Sequence, residues 1–378
     1  MKKVFKRFVF CIASFALCLS LFGCDGVANV RYTELGSPLS LEYEEALRAK
    51  CPWDLIIYDG ELYVGGGDYG GNAGPVSVWK RNIKSRAWHL CGTVPDEEIN
   101  RFCVLDGELV ITGTDPMDDW SFGNYYTVSG DGVEVVRNIP YAVHNFDMLS
   151  HDGMIFAGLG VEPGHMPAAV SLDGGKSFSP VPFEKHGSVV DTSVFSRIRV
   201  YDLFLHGDNV YALAYITRDD GVSYELYRYE SGSFSYEADW TDSVKKGVFS
   251  SNVIGAKANL GSGVIFTTGN LYFTDDMYNV SLVEMNGEMV YDIYRDGENL
   301  YFLTSKTDAD GCFIITVRRY TGDGESVTID DLNALFSFKY DVPPLSLAVL
   351  GSDYYIGVGH WRSTSEKNGF VLHIRYIG

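Results

Sequence analysis

The sequence predicts an all-β chain folded as a β-propeller, with seven four-stranded blades as the expected count. Three observations carry this. An apolar strand, a tight turn of Asp, Gly, Asn or Ser, and a second apolar strand recur along the chain. Aromatic residues make up 14% of it, with 25 Tyr and 22 Phe, side chains that suit a pleated, half-buried surface. The 41 glycines fall between short strand-like runs, and helix-forming stretches are few.

The chain opens on an export leader. Lys2, Lys3, Lys6 and Arg7 precede an apolar run from Phe8 to Phe22, and Gly23, Cys24 and Asp25 follow. A basic start, an apolar stretch short for a bilayer span and a small residue at the cut describe a cleaved signal. With Leu21, Gly23 and Cys24 at its end, the segment resembles the lipobox of bacterial lipoproteins. The resemblance implies a signal peptide over residues 1–23 and a lipid on Cys24. It places the protein at the cell membrane, facing the periplasm or the exterior. An ordinary secretory signal cut nearby, or an uncleaved anchor, stays open. Each buried methylene contributes about 0.8 kcal/mol, so two or three acyl chains hold where one would not.

Removing four basic residues takes the net charge from −20 to −24, which argues against nucleic acid or an anionic membrane surface as partner. Beyond the leader, Cys51, Cys91, Cys103 and Cys312 allow three disulfide pairings, with buried free thiols as the alternative. No CxxC or His-rich pair accompanies them, so zinc is not expected. Asp308-Ala309-Asp310-Gly311 has the centre of a calcium loop, but Lys306 and Val317 occupy positions that need acids. No cofactor is expected, and calcium at another carboxylate cluster has no supporting motif.

Residues 24–50 read as a lipidated tether, a closing strand and a short link, and residues 51–378 as the propeller. Asn29 to Leu35 alternates like a strand without a blade of its own, and Leu41 to Lys50 reads as a helical link. The repeat then begins with Leu55 to Val64 around Asp59-Gly60, and returns as Cys103 to Ile111 around Asp106-Gly107. Weaker copies centre on Asp152-Gly153, Gly207-Asp208, Gly261-Ser262, Asp296-Gly297 and Gly351-Ser352. Asp-Gly between apolar runs favours the φ > 0 conformation of a two-residue hairpin. The mean spacing of roughly 49 residues matches four-stranded propeller blades. The last copy is a strand short, having only Phe370 to Arg375 after Tyr354 to Val358, so pairing the two chain ends would close the ring.

In the third copy, Ser171-Leu172-Asp173-Gly174-Gly175-Lys176-Ser177-Phe178 resembles the Asp-box, or BNR-type, turn of sialidase-like propellers. The resemblance implies a structural turn between a blade's third and fourth strands, formed by Ser171, Asp173, Gly175 and Phe178. Degenerate relatives stand at Ser129-Gly130-Asp131-Gly132 and Thr321-Gly322-Asp323-Gly324. The motif speaks to fold and not to catalysis.

Gly65-Gly66-Gly67-Asp68-Tyr69-Gly70 fits a dinucleotide fingerprint, but Asn72 to Pro75 and a strand follow where a helix is required. Arg101 and Arg199 stand where inner strands begin, as an arginine pair for a substrate carboxylate would. Phe195 to Arg199 lacks the Arg-Ile-Pro signature of sialidases, and ion pairing with local acids is the competing account. Candidate ligand-binding residues on the loops joining second to third strands are Asp68, Trp120, His165 and Trp361, with Arg101 and Arg199 in the funnel. The expected function is a binding or assembly module for a glycan, peptide or protein partner. A sialidase-like glycoside hydrolase and a scaffold of a surface complex are the alternatives.

Overall fold

The computed structural model describes residues 28–376, apart from 42, 44, 45, 86, 118–121, 131 and 245–253. Cys24, the leader and Trp120 lie outside the described residues. The chain is an all-β propeller: antiparallel meanders follow one another, and their first strands line one central cavity.

Two four-stranded sheets come first. They are Asp54–Tyr58, Glu61–Gly65, Val76–Asn82 and His89–Val94, then Phe102–Leu105, Glu108–Thr112, Phe122–Ser129 and Gly132–Pro140. A third comprises Ala256–Leu260, Gly263–Thr267, Leu271–Thr274 and Ser281–Val283. A five-stranded sheet holds Met289–Asp296, Asn299–Thr307, Phe313–Tyr320 and Leu332–Tyr340, with Ala28–Asn29 added in parallel. The last sheet contains Pro344–Leu350, Asp353–Val358 and Val371–Arg375, with Tyr32–Glu34 antiparallel to its outer strand. The two chain ends therefore pair, Tyr32 opposite Ile374 and Glu34 opposite Leu372.

The expected count of seven separate blades is corrected here. Five sheets stand apart, and the region from Ala142–His151 to Ser233–Asp239 contributes ten strands to one twelve-stranded sheet. Its two meanders join through a bridge between Gly160 and Arg199. On its other side it gains the short strands Thr114–Pro116 and Asp96–Glu98. The physical reason lies in the connections, which pair with each other where open loops were expected.

The turns follow the sequence closely. Asp59-Gly60, Asp106-Gly107 and Asp152-Gly153 all have positive φ at both residues, the geometry whose twist suits a tight hairpin. The Leu41 to Lys50 link is not a continuous helix. A 3-10 turn covers Pro38–Leu41, and Lys50 N–H closes a single turn on Ala46. Within the large sheet the core is aromatic, as where Phe183 meets Tyr227 at 4.7 Å and Phe156 meets the half-buried Tyr229 at 4.8 Å. A fully buried ring such as Phe183 or Phe156 contributes about 1.5–3 kcal/mol.

Alternation of strand direction gives the propeller two faces. The tight turns after first and third strands share one, here the turn face. Connections after second and fourth strands share the other, the loop face. Residues 359–370 and 66–75 make long loop-face connections, whereas residues 219–220 and 268–270 make short ones.

Candidate functional site

First strands enter from the loop face, and most carry a charged or polar residue five positions before the turn. Asp54 precedes Asp59, Arg101 precedes Asp106, Asp147 precedes Asp152, Asp202 precedes Gly207, Asp292 precedes Gly297 and Ser346 precedes Gly351. All but Asp202 and Ser346 line a cavity of about 390 Å³, together with Lys257. Three of the carboxylates clip the next strand of the ring by accepting its backbone N–H. Asp54 accepts from Phe102 at 2.6 Å, Asp147 from Leu203 at 2.8 Å and Asp292 from Leu347 at 2.6 Å. A first strand has no neighbour on its channel side, so these bonds satisfy amides that would otherwise go unpaired.

The channel's cations are consumed by its acids. Arg101 lies 2.9 Å from Asp147 and 3.2 Å from Asp202, and Lys257 contacts both. Burial raises both carboxyls, but Lys257 and Arg101 outweigh it at Asp147 and hold that group below its ordinary value. At Asp202 burial wins, and its carboxyl is raised. Asp54 and Asp292 form no ion pair among the described residues, and the lowering effect of Arg101 on them is outweighed by burial. Burial, then the neighbouring Asp292, push Asp54 up to about 8, and burial pushes Asp292 up to about 6. Cys103, also in this wall, is raised to about 12 by burial and Asp147, a value that keeps the thiol protonated. None of Cys51, Cys91, Cys103 and Cys312 is joined in a disulfide.

Above the channel, toward the loop face, a second cluster forms. Arg199 stands three residues before Asp202 on the same strand, so it sits higher than the contact between Asp202 and Arg101. Its Nη2 is 3.2 Å from His144 Nε2, and its Nη1 donates to the Tyr201 hydroxyl at 3.1 Å. A guanidinium only donates, so Nε2 accepts and the imidazole proton sits on Nδ1. That atom faces Asp115 Oδ1 at 3.3 Å. Burial, then Arg199 and Arg197, hold His144 down at about 3, so it is neutral in this chain of contacts. Burial raises the Asp115 carboxyl, with Arg199 opposing.

Acids from the first two sheets complete the mouth. Burial, then Asp115, Asp96 and Asp68, push Glu97 up to about 7. Asp68 pairs with Arg48 at 3.0 Å, and Arg48 also lies 3.0 Å from the buried Glu98. Tyr69 lies beneath the Arg48 guanidinium, 5.3 Å from its ring centre, and within electrostatic reach of Tyr201 and Arg199. The short strands added at the edge of the large sheet therefore carry the mouth's chemistry, Glu97 and Glu98 on one and Asp115 on the other.

The structure brings Asp68 and Arg199 into this mouth and puts Arg101 deeper. His165 stacks on the half-exposed Tyr141 at 4.2 Å, on the rim. Trp361 is 42% exposed, with the Arg362 guanidinium 3.8 Å over its ring. The Ser171 to Phe178 turn sits on the turn face. Asp173 accepts from Ser171 Oγ at 2.8 Å and from Ser177 N–H and Oγ at 2.9 and 2.7 Å, Gly175 N–H donates to Ser171 at 2.8 Å, and Phe178 is buried. Glu97, Asp115 and His144 were not among the expected site residues. One signal for them was available, the unbroken acid run Asp96-Glu97-Glu98 shortly before Arg101.

No family model matches the chain, and a comparison with curated proteins gives no match. Solved structures share its fold. The hydrazine synthase of Kuenenia stuttgartiensis is 11% identical, covers 87% of this chain and 96% of its own, and has a TM-score of 0.51. The Dos1 propeller is 14% identical over 85% of this chain and 78% of that one, with a TM-score of 0.46. BamB from Moraxella catarrhalis is 12% identical over 86% and 85%, with a TM-score of 0.42. These likenesses speak to fold alone. A propeller carries many unrelated functions, so function rests on the site.

Proposed function

We propose that this protein is a lipid-anchored, extracytoplasmic β-propeller that binds a glycan, peptide or protein partner at its loop-face mouth. The observation that carries the reading is the Arg199–His144–Asp115 chain of contacts. It fixes one guanidinium beside Tyr201 on the face with the long connections. Planar, oriented guanidinium groups recognise carboxylates and other acceptors, and loops held on a rigid sheet are the usual place for recognition. Exposed Tyr141 and Trp361 on the same face supply aromatic contact area at small entropic cost. The anchoring half of the reading rests on Leu21, Gly23 and Cys24, and Cys24→Ser should release the protein from membranes.

A glycan and peptide array probed with the wild type and with Arg199→Ala tests the binding half. Hits that vanish in the variant support it, and hits that persist unchanged place recognition elsewhere.

One feature favours the hydrolase reading. Glu97, raised to about 7, stands among the carboxylates of Asp68 and Asp115, and a carboxylic acid raised toward neutrality is what acid catalysis of glycoside cleavage uses. Against a sialidase type, Arg101 is tied into the channel's ion pairs below Arg199. A fluorogenic sialoside and a panel of aryl glycosides decide. Turnover lost in a folded Glu97→Gln variant would establish the enzyme, and no turnover by the wild type leaves binding.

A further inference from the structure

We infer that the turn face is the membrane-proximal face and that the loop-face mouth points away from the bilayer. The inference rests on the lipid at Cys24 and adds the orientation that the fold imposes on it.

The five-stranded sheet sets the direction of the incoming chain. Leu332–Tyr340 is its fourth strand, entered from the turn-face connection at residues 321–331 and left toward the loop face. Ala28–Asn29 pairs with it in parallel, Ala28 opposite Phe336 and Asn29 opposite Ser337. The chain is thus already travelling from turn face to loop face at Ala28. The next strand agrees, since Tyr32 lies opposite Ile374 and Glu34 opposite Leu372, nearer the loop-face start of Val371–Arg375. From there residues 35–53 cross the loop face to the channel. Trp53 Nε1–H donates to Gly67 at 2.9 Å, and Tyr43 donates to Pro75 at 2.8 Å.

Length fixes the rest. Cys24 precedes Ala28 by four residues, which span at most about 14 Å of extended chain. Phe336 follows Leu332 by the same number, about 13 Å of strand. A chain that kept the direction of Ala28–Asn29 for four residues would put Cys24 level with the turn-face end of its partner strand. To set the loop face on the bilayer, the tether would have to reverse and run back past Tyr340, leaving no length for the loops beyond it.

Surface charge opposes a closer approach, so the tether alone sets the orientation. The turn face carries Asp59, Asp106, Asp152, Asp296 and Glu298 at its hairpins, which an anionic headgroup layer repels. It is therefore held near the bilayer by the short tether without inserting. The exposed Tyr141 and Trp361 lie on the opposite face, free for a partner.

The test places one fluorophore at either end of the sheet nearest the anchor. Glu298→Cys is on the turn face and Asp310→Cys on the loop face, and both positions are exposed. The full-length chain, processed in a bacterial host, is reconstituted in phosphatidylcholine vesicles containing headgroup-spin-labelled lipid. Intact-mass measurement first reports whether Cys24 carries acyl chains. With the lipid present, the label at 298 should lose most of its emission and the label at 310 should keep it. Equal quenching, or the reverse order, overturns the orientation while leaving the anchor intact. A mature chain without acyl mass removes the anchoring reading, and the orientation with it.

Discussion

The channel and the mouth sit on the same inner strands, three residues apart between Asp202 and Arg199, yet they treat charge oppositely. In the channel, both cations are spent on Asp147 and Asp202, and the remaining acids bond backbone amides of the next strand. In the mouth, Arg48 is likewise spent on Asp68 and Glu98, but the Arg199 guanidinium is oriented by a neutral imidazole and a hydroxyl, with the Asp115 carboxylate beyond the imidazole. Charge in the channel holds the ring together, and Arg199 in the mouth is presented. The presence of arginine at the centre of a propeller therefore says little until its partners are known.

The sharpest way to break the comparison is Arg101→Met. It leaves two buried carboxylates with Lys257 alone, and removing one partner of a buried ion pair costs about 3–5 kcal/mol. Denaturant unfolding should show that loss, with array binding retained by whatever fraction folds. A variant as stable as the wild type that no longer binds would make the channel the site.

Arg199→Ala should do the reverse. Hydrogen bonds to a charged group contribute about 1.5–3 kcal/mol, so affinity should fall roughly 10- to 150-fold. The melting temperature should change little, since His144 keeps its stack on Phe146 at 4.9 Å. Arg199→Lys keeps the charge but not the fork, and partial recovery of affinity would separate orientation from charge alone.

How much of this was legible is a matter of which residues act locally. The Asp-Gly hairpins were readable because two residues decide them. Arg101 and Arg199 were placed on inner strands by their distance from those turns. The acids at the matching offset, Asp54, Asp147, Asp202 and Asp292, follow the same count, but apolar strands drew attention first. What the repeat could not show is the fused sheet. Pairing of Asp96–Glu98 with Thr114–Pro116, and of that strand with Ala142–His151, depends on connections meeting in space. The same pairing creates the mouth, so the missed topology and the missed residues Glu97, Asp115 and His144 have one cause.

Within the channel, Asp54→Asn sharpens the contrast between its cation-bearing side and its purely acidic side. A folded-state value near 8 against an ordinary value of 3.8 means the folded chain holds that proton more tightly. The stability this confers is complete below about 4 and is lost as pH rises toward 8. The wild type should therefore lose stability relative to Asp54→Asn across that window. The amide gives up one of two accepted N–H bonds, so the variant starts lower at acid pH and gains on the wild type at alkaline pH. Parallel curves from pH 4 to 8 would show that Asp54 is ionised throughout.

The smallest expected effect belongs to the turn face, at Asp173→Ala. Here the carboxylate is exposed and held down at about 2 by the Ser177 hydroxyl and N–H and by Ser171. A depressed value has the opposite linkage sign to Asp54: the stability it confers is present above the ordinary value of 3.8 and lost as pH falls through about 2. The variant should melt slightly below the wild type at pH 7, and the gap should close toward pH 2. Array binding should not change, because the turn lies on the face away from the mouth. Thermal melts across that range, paired with one binding titration at pH 7, read both quantities. A binding loss in Asp173→Ala matching that of Arg199→Ala would mean that partner recognition reaches the turn face, and the division between a structural channel and a presenting mouth would fall.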